Sequence, residues 1–84
     1  MASSMVKMEE VVERIKDVIC HEFKGGKVLD KNVANELGIE QSTLSASKSR
    51  NSLPYDELTM FCIRRKINTN WLFFGIGSME MSYA

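Results

Sequence analysis

An all-α domain of five helices, the second and third joined as a helix-turn-helix, is the fold this sequence predicts. Three observations carry the prediction. Met8, Val11, Val12, Ile15, Val18 and Ile19 recur at spacings of three and four, the signature of one buried helical stripe. Val33, Ala34, Leu37, Gly38, Ile39 and Leu44 follow the pattern of two short helices around a tight turn. Pro54 and Asn68 then stand as start signals for two further helices.

The first helix is expected over about 8–22. Glu9, Glu10, Glu13, Arg14, Lys16 and Asp17 fill the rest of its circumference, and Glu10 and Arg14 form a supportive pair four residues apart. Its early acids suit the positive end of the helix dipole. The polar face is acidic, which argues for core packing of the stripe rather than for a membrane-surface helix. Residues 1–7 read as a disordered lead. Phe23-Lys24-Gly25-Gly26-Lys27 is a loop; without a preceding strand or a lysine-serine/threonine ending it is not a phosphate-binding P-loop.

Asp30 is placed to cap the second helix, about 31–37. Val33 and Leu37 share one face, and Ala34 is small enough to let another helix cross closely. Gly38 stands where the chain reverses, because glycine reaches left-handed angles without a Cβ penalty. The third helix opens at Gln41 and runs to Ser49 or Arg50. Its outward set, Gln41, Ser42, Ser45, Ala46 and Ser49, is short and mostly polar. That suits a recognition helix in a DNA major groove. Gln41 is the candidate base reader, since its amide can donate to and accept from adenine at once. Ser42 and Ser45 can hydrogen-bond bases or phosphates, and Ala46 offers a methyl surface to thymine. The bland counterpart is a solvated polar helix.

Asn51-Ser52-Leu53-Pro54 breaks the pattern, and the fourth helix follows with Tyr55, Leu58, Phe61, Cys62 and Arg65 on one side. Arg64-Arg65-Lys66 is explained by the dipole at a helix C-terminus rather than by nucleic acid. Asn68 caps the fifth helix, with Ile67 and Leu72 as a hydrophobic staple. Trp71, Leu72, Phe73 and Phe74 are too many large apolar residues for one face of a short helix. Some of them are expected to face a partner. Residues 78–84 read as a frayed tail or the start of a linker.

With these elements in place, the run LGIEQSTLS, then NSLPYDELTMFCIRRKIN and NWLFFG, resembles the N-terminal domain of phage CI-type repressors, a lambda-repressor-like helix-turn-helix family. With the first helix included, the resemblance covers most of 8–77. It implies a small helical domain that binds double-stranded operator DNA, usually as a homodimer, with repression the commoner outcome. It also implies phosphate contacts from Lys31 and Asn32 at the start of the second helix, and from Lys48, Ser49, Arg50 and Asn51 at the end of the third. Phe73, Phe74, Ile76 and Met79 become candidates for the dimer interface. Two residues depart from the family pattern. Ser47 stands where a large apolar residue is common, and Glu40 where a serine or threonine cap is common.

Composition bounds these readings. The chain has 84 residues, 44% hydrophobic and 26% charged, enough for one modest core. No apolar run approaches the roughly 20 residues that span a bilayer, and the N-terminus lacks a secretory core, so a cytoplasmic protein with no membrane partner is expected. Cys20 and Cys62 are expected to be reduced core thiols. Net charge is zero, which weighs against nucleic acid, but residues 41–55 hold Lys48 and Arg50 and no acid. The rival reading, a protein-interaction module that keeps the fold without binding DNA, draws on that neutrality, on Ser47 and on Glu40. It expects acids such as Glu36 and Glu40 to cross the face. His21 is alone, no ligand set has metal-site spacing, and no serine has an activating partner nearby in sequence. No catalytic residue, cofactor, metal or small-molecule substrate is expected.

Overall fold

The computed structural model describes residues 6–81. The expected lead over 1–5 and the tail over 82–84 lie outside the described residues. Five α-helices follow in order: α1 (Met8–Ile19), α2 (Asp30–Leu37), α3 (Gln41–Arg50), α4 (Tyr55–Arg65) and α5 (Thr69–Phe74). Among the described residues the only β pairing is one antiparallel bridge, Ile67 to Glu80.

The amphipathic stripe of α1 is the centre of the core. All six of its apolar residues, Met8 through Ile19, are buried. Val33, Ala34 and Leu37 of α2, Leu44 of α3, Leu58, Phe61 and Cys62 of α4, Ile67, and Leu72 of α5 close around it. Each Val, Leu, Ile, Phe or Met side chain among them contributes roughly 1.5–3 kcal/mol on removal from water, before chain entropy is set against it. Among the described residues no polar or charged residue is buried with them. Beyond Ile19 the expected helix tightens into a 3₁₀ turn over Cys20–Glu22.

The helix-turn-helix closes as its glycine predicts. Gly38 is left-handed at φ 75°. Its N–H donates to Asn35 O at 3.2 Å, and Ile39 N–H donates to Ala34 O at 3.0 Å. These two bonds are the pattern of a Schellman motif, which satisfies the last carbonyls of α2 and folds Ile39 back onto the core. The staple around α5 also forms: Asn68 Oδ1 accepts from Asn70 N–H at 3.0 Å, with Ile67 and Leu72 both buried.

Several local expectations are corrected. Asp30 is the first residue of α2 and not its cap; Leu29 holds the cap position, and its N–H donates to Asn32 Oδ1 at 2.9 Å. Asp30 is drawn instead into ion pairs with two lysines. Pro54 precedes α4 at the cap position, with Tyr55 as the first helical residue. Tyr55 is 58% exposed, and its ring lies 5.9 Å from that of Phe73. Cys20 is only half-buried, because it falls in the 3₁₀ turn where the stripe ends, whereas Cys62 is in the core. Residues 79–81 are hydrogen-bonded to the preceding fold. Asn68 N–H donates to Met79 O and Met81 N–H to Lys66 O, both at 2.9 Å, which binds the segment to the α4–α5 turn.

Arg65 also departs from a simple dipole role. Its guanidinium pairs with Glu22 and with both carboxylate oxygens of Glu36, each of the latter at 2.9 Å. It thereby joins the turn after α1, the end of α2 and the end of α4. The two carboxylates hold the arginine's protonation more firmly than usual, and Glu22 is held below the ordinary carboxylate range by Arg65.

Candidate nucleic-acid interface

α3 places one side chain in the core. Leu44 is its sole buried residue, so the rest of the helix is presented outward or at the edge of the core. Gln41, Ser42, Thr43, Ser45, Ser49 and Arg50 are exposed, and Ala46, Ser47 and Lys48 are half-buried. Ser42, Ser45 and Ser49 share one face by their spacing. Gln41 is the first helical residue, at the end where the backbone N–H groups and the positive dipole point outward. The exposed surface of α3 carries no acid.

Thr43 joins this exposed set, although periodicity did not single it out. Its hydroxyl and methyl match the chemistry of Ser42 and Ala46. The signal was available: Thr43 directly precedes the buried Leu44, and neighbours on a helix point about 100° apart.

Glu40, before α3, is exposed and makes no side-chain cap bond. Glu36 does not cross the α3 face. It faces α4, where it pairs with Arg65 and lies 3.7 Å from Arg64. Arg64 also donates to Glu36 O at 2.7 Å. Ser47 is half-buried, and its carbonyl accepts from Ser52 N–H at 3.0 Å in the turn that ends α3.

The candidate phosphate residues divide by what already engages them. Lys31 and Arg50 are exposed, with no ion pair among the described residues, and Ser49 is exposed beside Arg50. Asn32 is half-buried and its Oδ1 accepts from Leu29 N–H. Lys48 is held by Asp30, with Nζ to Oδ2 at 2.8 Å, while Lys16 reaches Asp30 Oδ1 at 2.9 Å. Hydrogen bonds from Lys48 first, and then Lys16, keep the Asp30 carboxyl below its ordinary range. Asn51 is left-handed at φ 53° and uses both ends of its amide inside the fold. Its Oδ1 accepts from Met8 N–H at 2.7 Å, and its Nδ2 donates to Val6 O at 3.0 Å.

Of the four residues read as a dimer surface, Phe74 and Ile76 are exposed at 44% and 63%. Phe73 and Met79 are half-buried and pack on the core beneath. Tyr55, Met60 and Ile63 of α4 are further exposed apolar side chains. Among the described residues no group of His, Cys, Asp and Glu is arranged to hold a metal, and no helix is long and apolar enough to cross a membrane.

The family model described as the bacteriophage CI repressor helix-turn-helix domain matches residues 10–80. No curated protein matches, and no solved structure matches.

Proposed function

This chain belongs to the bacteriophage CI repressor helix-turn-helix family, and we propose that it is a sequence-specific regulator that binds double-stranded operator DNA as a homodimer. Membership makes it a helix-turn-helix domain of a DNA-binding repressor family; the operator, the dimer and the residue roles are the proposal. The observation that carries it is the exposed, acid-free face of α3, a helix whose one buried side chain is Leu44.

In this reading α3 enters the major groove. Gln41 reads a base edge, and Ser42, Thr43, Ser45 and Ala46 line the approach. Lys31, Asn32, Ser49 and Arg50 set the position on the phosphates, with Lys48 and Asn51 at the edge of that set. Phe74 and Ile76 meet their copies across a two-fold axis over Phe73 and Met79. The axis places two α3 helices on half-sites about one helical turn, roughly 34 Å, apart. Repression then follows by occluding polymerase.

A role in protein interaction without DNA is favoured by the exposed Met60, Ile63, Phe74 and Ile76 on a chain of zero net charge. Selection of bound sequences from a random duplex pool, followed by titration at two salt concentrations, separates the two. An enriched two-fold-symmetric site with salt-dependent affinity supports the operator reading. Gln41→Ala is then expected to lose about 1–3 kcal/mol of preference at one base position. No enrichment, also after fusion to an unrelated dimer, supports the protein-interaction reading.

A further inference from the structure

We propose that Asp30 is a specificity-determining residue of the DNA-binding face, acting as an internal substitute for a DNA phosphate that restrains Lys48. The inference rests on the DNA-binding reading of α3. Its basis is a three-helix charge arrangement. Asp30 opens α2, Lys16 lies on α1 and Lys48 lies in the last turns of α3. The carboxylate spans the two ammonium groups, one on each oxygen, at 2.9 and 2.8 Å. These side chains retain only 21–28% of their exposure, so the pairs are shielded from solvent more than an ordinary surface ion pair.

Lys48 is thereby set apart from Arg50. Both are basic residues at the end of α3, but Arg50 is exposed with no ion pair among the described residues. Lys48 already has the geometry that a phosphate oxygen would offer. A phosphate that approaches Lys48 either displaces Asp30, leaving that carboxylate with only Lys16 as partner, or shares the ammonium with a carboxylate that repels it, and in both cases the contact contributes less. Sequence-independent affinity is therefore lower than the count of basic residues suggests. The base contacts of α3 contribute a larger share of the total, and discrimination between sequences rises.

The restraint has a measurable signature, because each phosphate neutralised by a cation adds about 0.9 to the slope of log affinity against log salt. The probe is a fluorescein-labelled mixed-sequence duplex, titrated with the full chain over a salt series below the unfolding temperature of every variant. Arg50→Gln is expected to flatten the slope by about 0.9, and Lys48→Gln by much less. Asp30→Asn is expected to steepen it by about 0.9 and to raise affinity several-fold at low salt. That gain should vanish in the Asp30→Asn, Lys48→Gln double variant.

Equal flattening by Lys48→Gln and Arg50→Gln overturns the proposal, and this comparison does not require Asp30→Asn to fold. A gain from Asp30→Asn that persists in the double variant also overturns it, since it then reflects net charge and not release of Lys48. Absence of any salt-dependent binding by the unaltered chain removes the DNA-binding reading itself. That result is distinct from unaltered binding with no difference between Lys48 and Arg50.

Discussion

Asn51, the left-handed residue that ends α3, hydrogen-bonds the first backbone N–H of α1 at Met8, 2.7 Å from its Oδ1. The opening N–H groups of a helix have no partner within it, and Lys7, at the cap position of α1, makes no side-chain cap bond. Asn51 supplies the missing acceptor from across the fold. Its Nδ2 donates to Val6 O at 3.0 Å, so one side chain ties the entry to α1 to the exit of the candidate recognition helix.

Replacing Asn51 separates these roles. Asn51→Gly retains easy access to left-handed angles and loses the two bonds, at roughly 0.5–1.5 kcal/mol each. Asn51→Ala loses the same bonds and adds a left-handed penalty of roughly 1–2 kcal/mol. Urea unfolding is expected to rank stability as wild type, then Gly, then Ala. Alanine at wild-type stability would remove the tether.

Leu44 is the one buried side chain of α3, so its truncation tests how the helix is held. Leu44→Ala is expected to cost about 2–5 kcal/mol in thermal or denaturant unfolding. Amide exchange should accelerate most across residues 41–50. Exchange that increased evenly through all five helices would show that α3 is held by more than this anchor.

Acid should unfold the domain through its paired carboxylates. Lys48 and Lys16 hold Asp30 below its ordinary range, and Arg65 does so for Glu22. Their folded values lie below their unfolded values, so the unfolded chain takes up protons first as pH falls. The stabilisation is fully present above the unfolded values and is lost as pH drops through the folded ones. Stability measured against pH should therefore be level near neutrality and decline below about pH 4. Asp30→Asn should be less stable at pH 7 and show a shallower acid decline. A parallel decline would exclude Asp30 as a contributor.

The two cysteines should react differently. Burial pushes the Cys62 thiol up to about 11, whereas Cys20 is half-buried in the 3₁₀ turn and donates to Asp17 O at 3.3 Å. A chromogenic disulfide reagent at mild alkaline pH is expected to titrate Cys20 in the folded protein and Cys62 only after denaturation, since the thiolate is the reactive form. Prompt labelling of Cys62 without unfolding would contradict its place in the core.

The helices, their order and the identity of the core were legible in the residues because periodicity is local. The spacing of Met8 to Ile19 marks a buried stripe whatever packs on it, and Gly38 marks a left-handed turn because few other residues adopt one at low cost. The family resemblance rested instead on the runs LGIEQSTLS, NSLPYDELTMFCIRRKIN and NWLFFG, and the family match over 10–80 agrees with it. Pairings between distant segments were not legible. No local rule links Asp30 to Lys16 and Lys48, Arg65 to Glu22 and Glu36, or Asn51 to Val6 and Met8. Long polar side chains have many partners within reach in the unfolded chain, and only the packed helices choose among them. That choice bears directly on function. The family resemblance grouped Lys48, Arg50 and Asn51 as phosphate ligands, whereas the tertiary structure leaves Arg50 exposed, engages Lys48 with Asp30, and uses both ends of the Asn51 amide to hold the fold together.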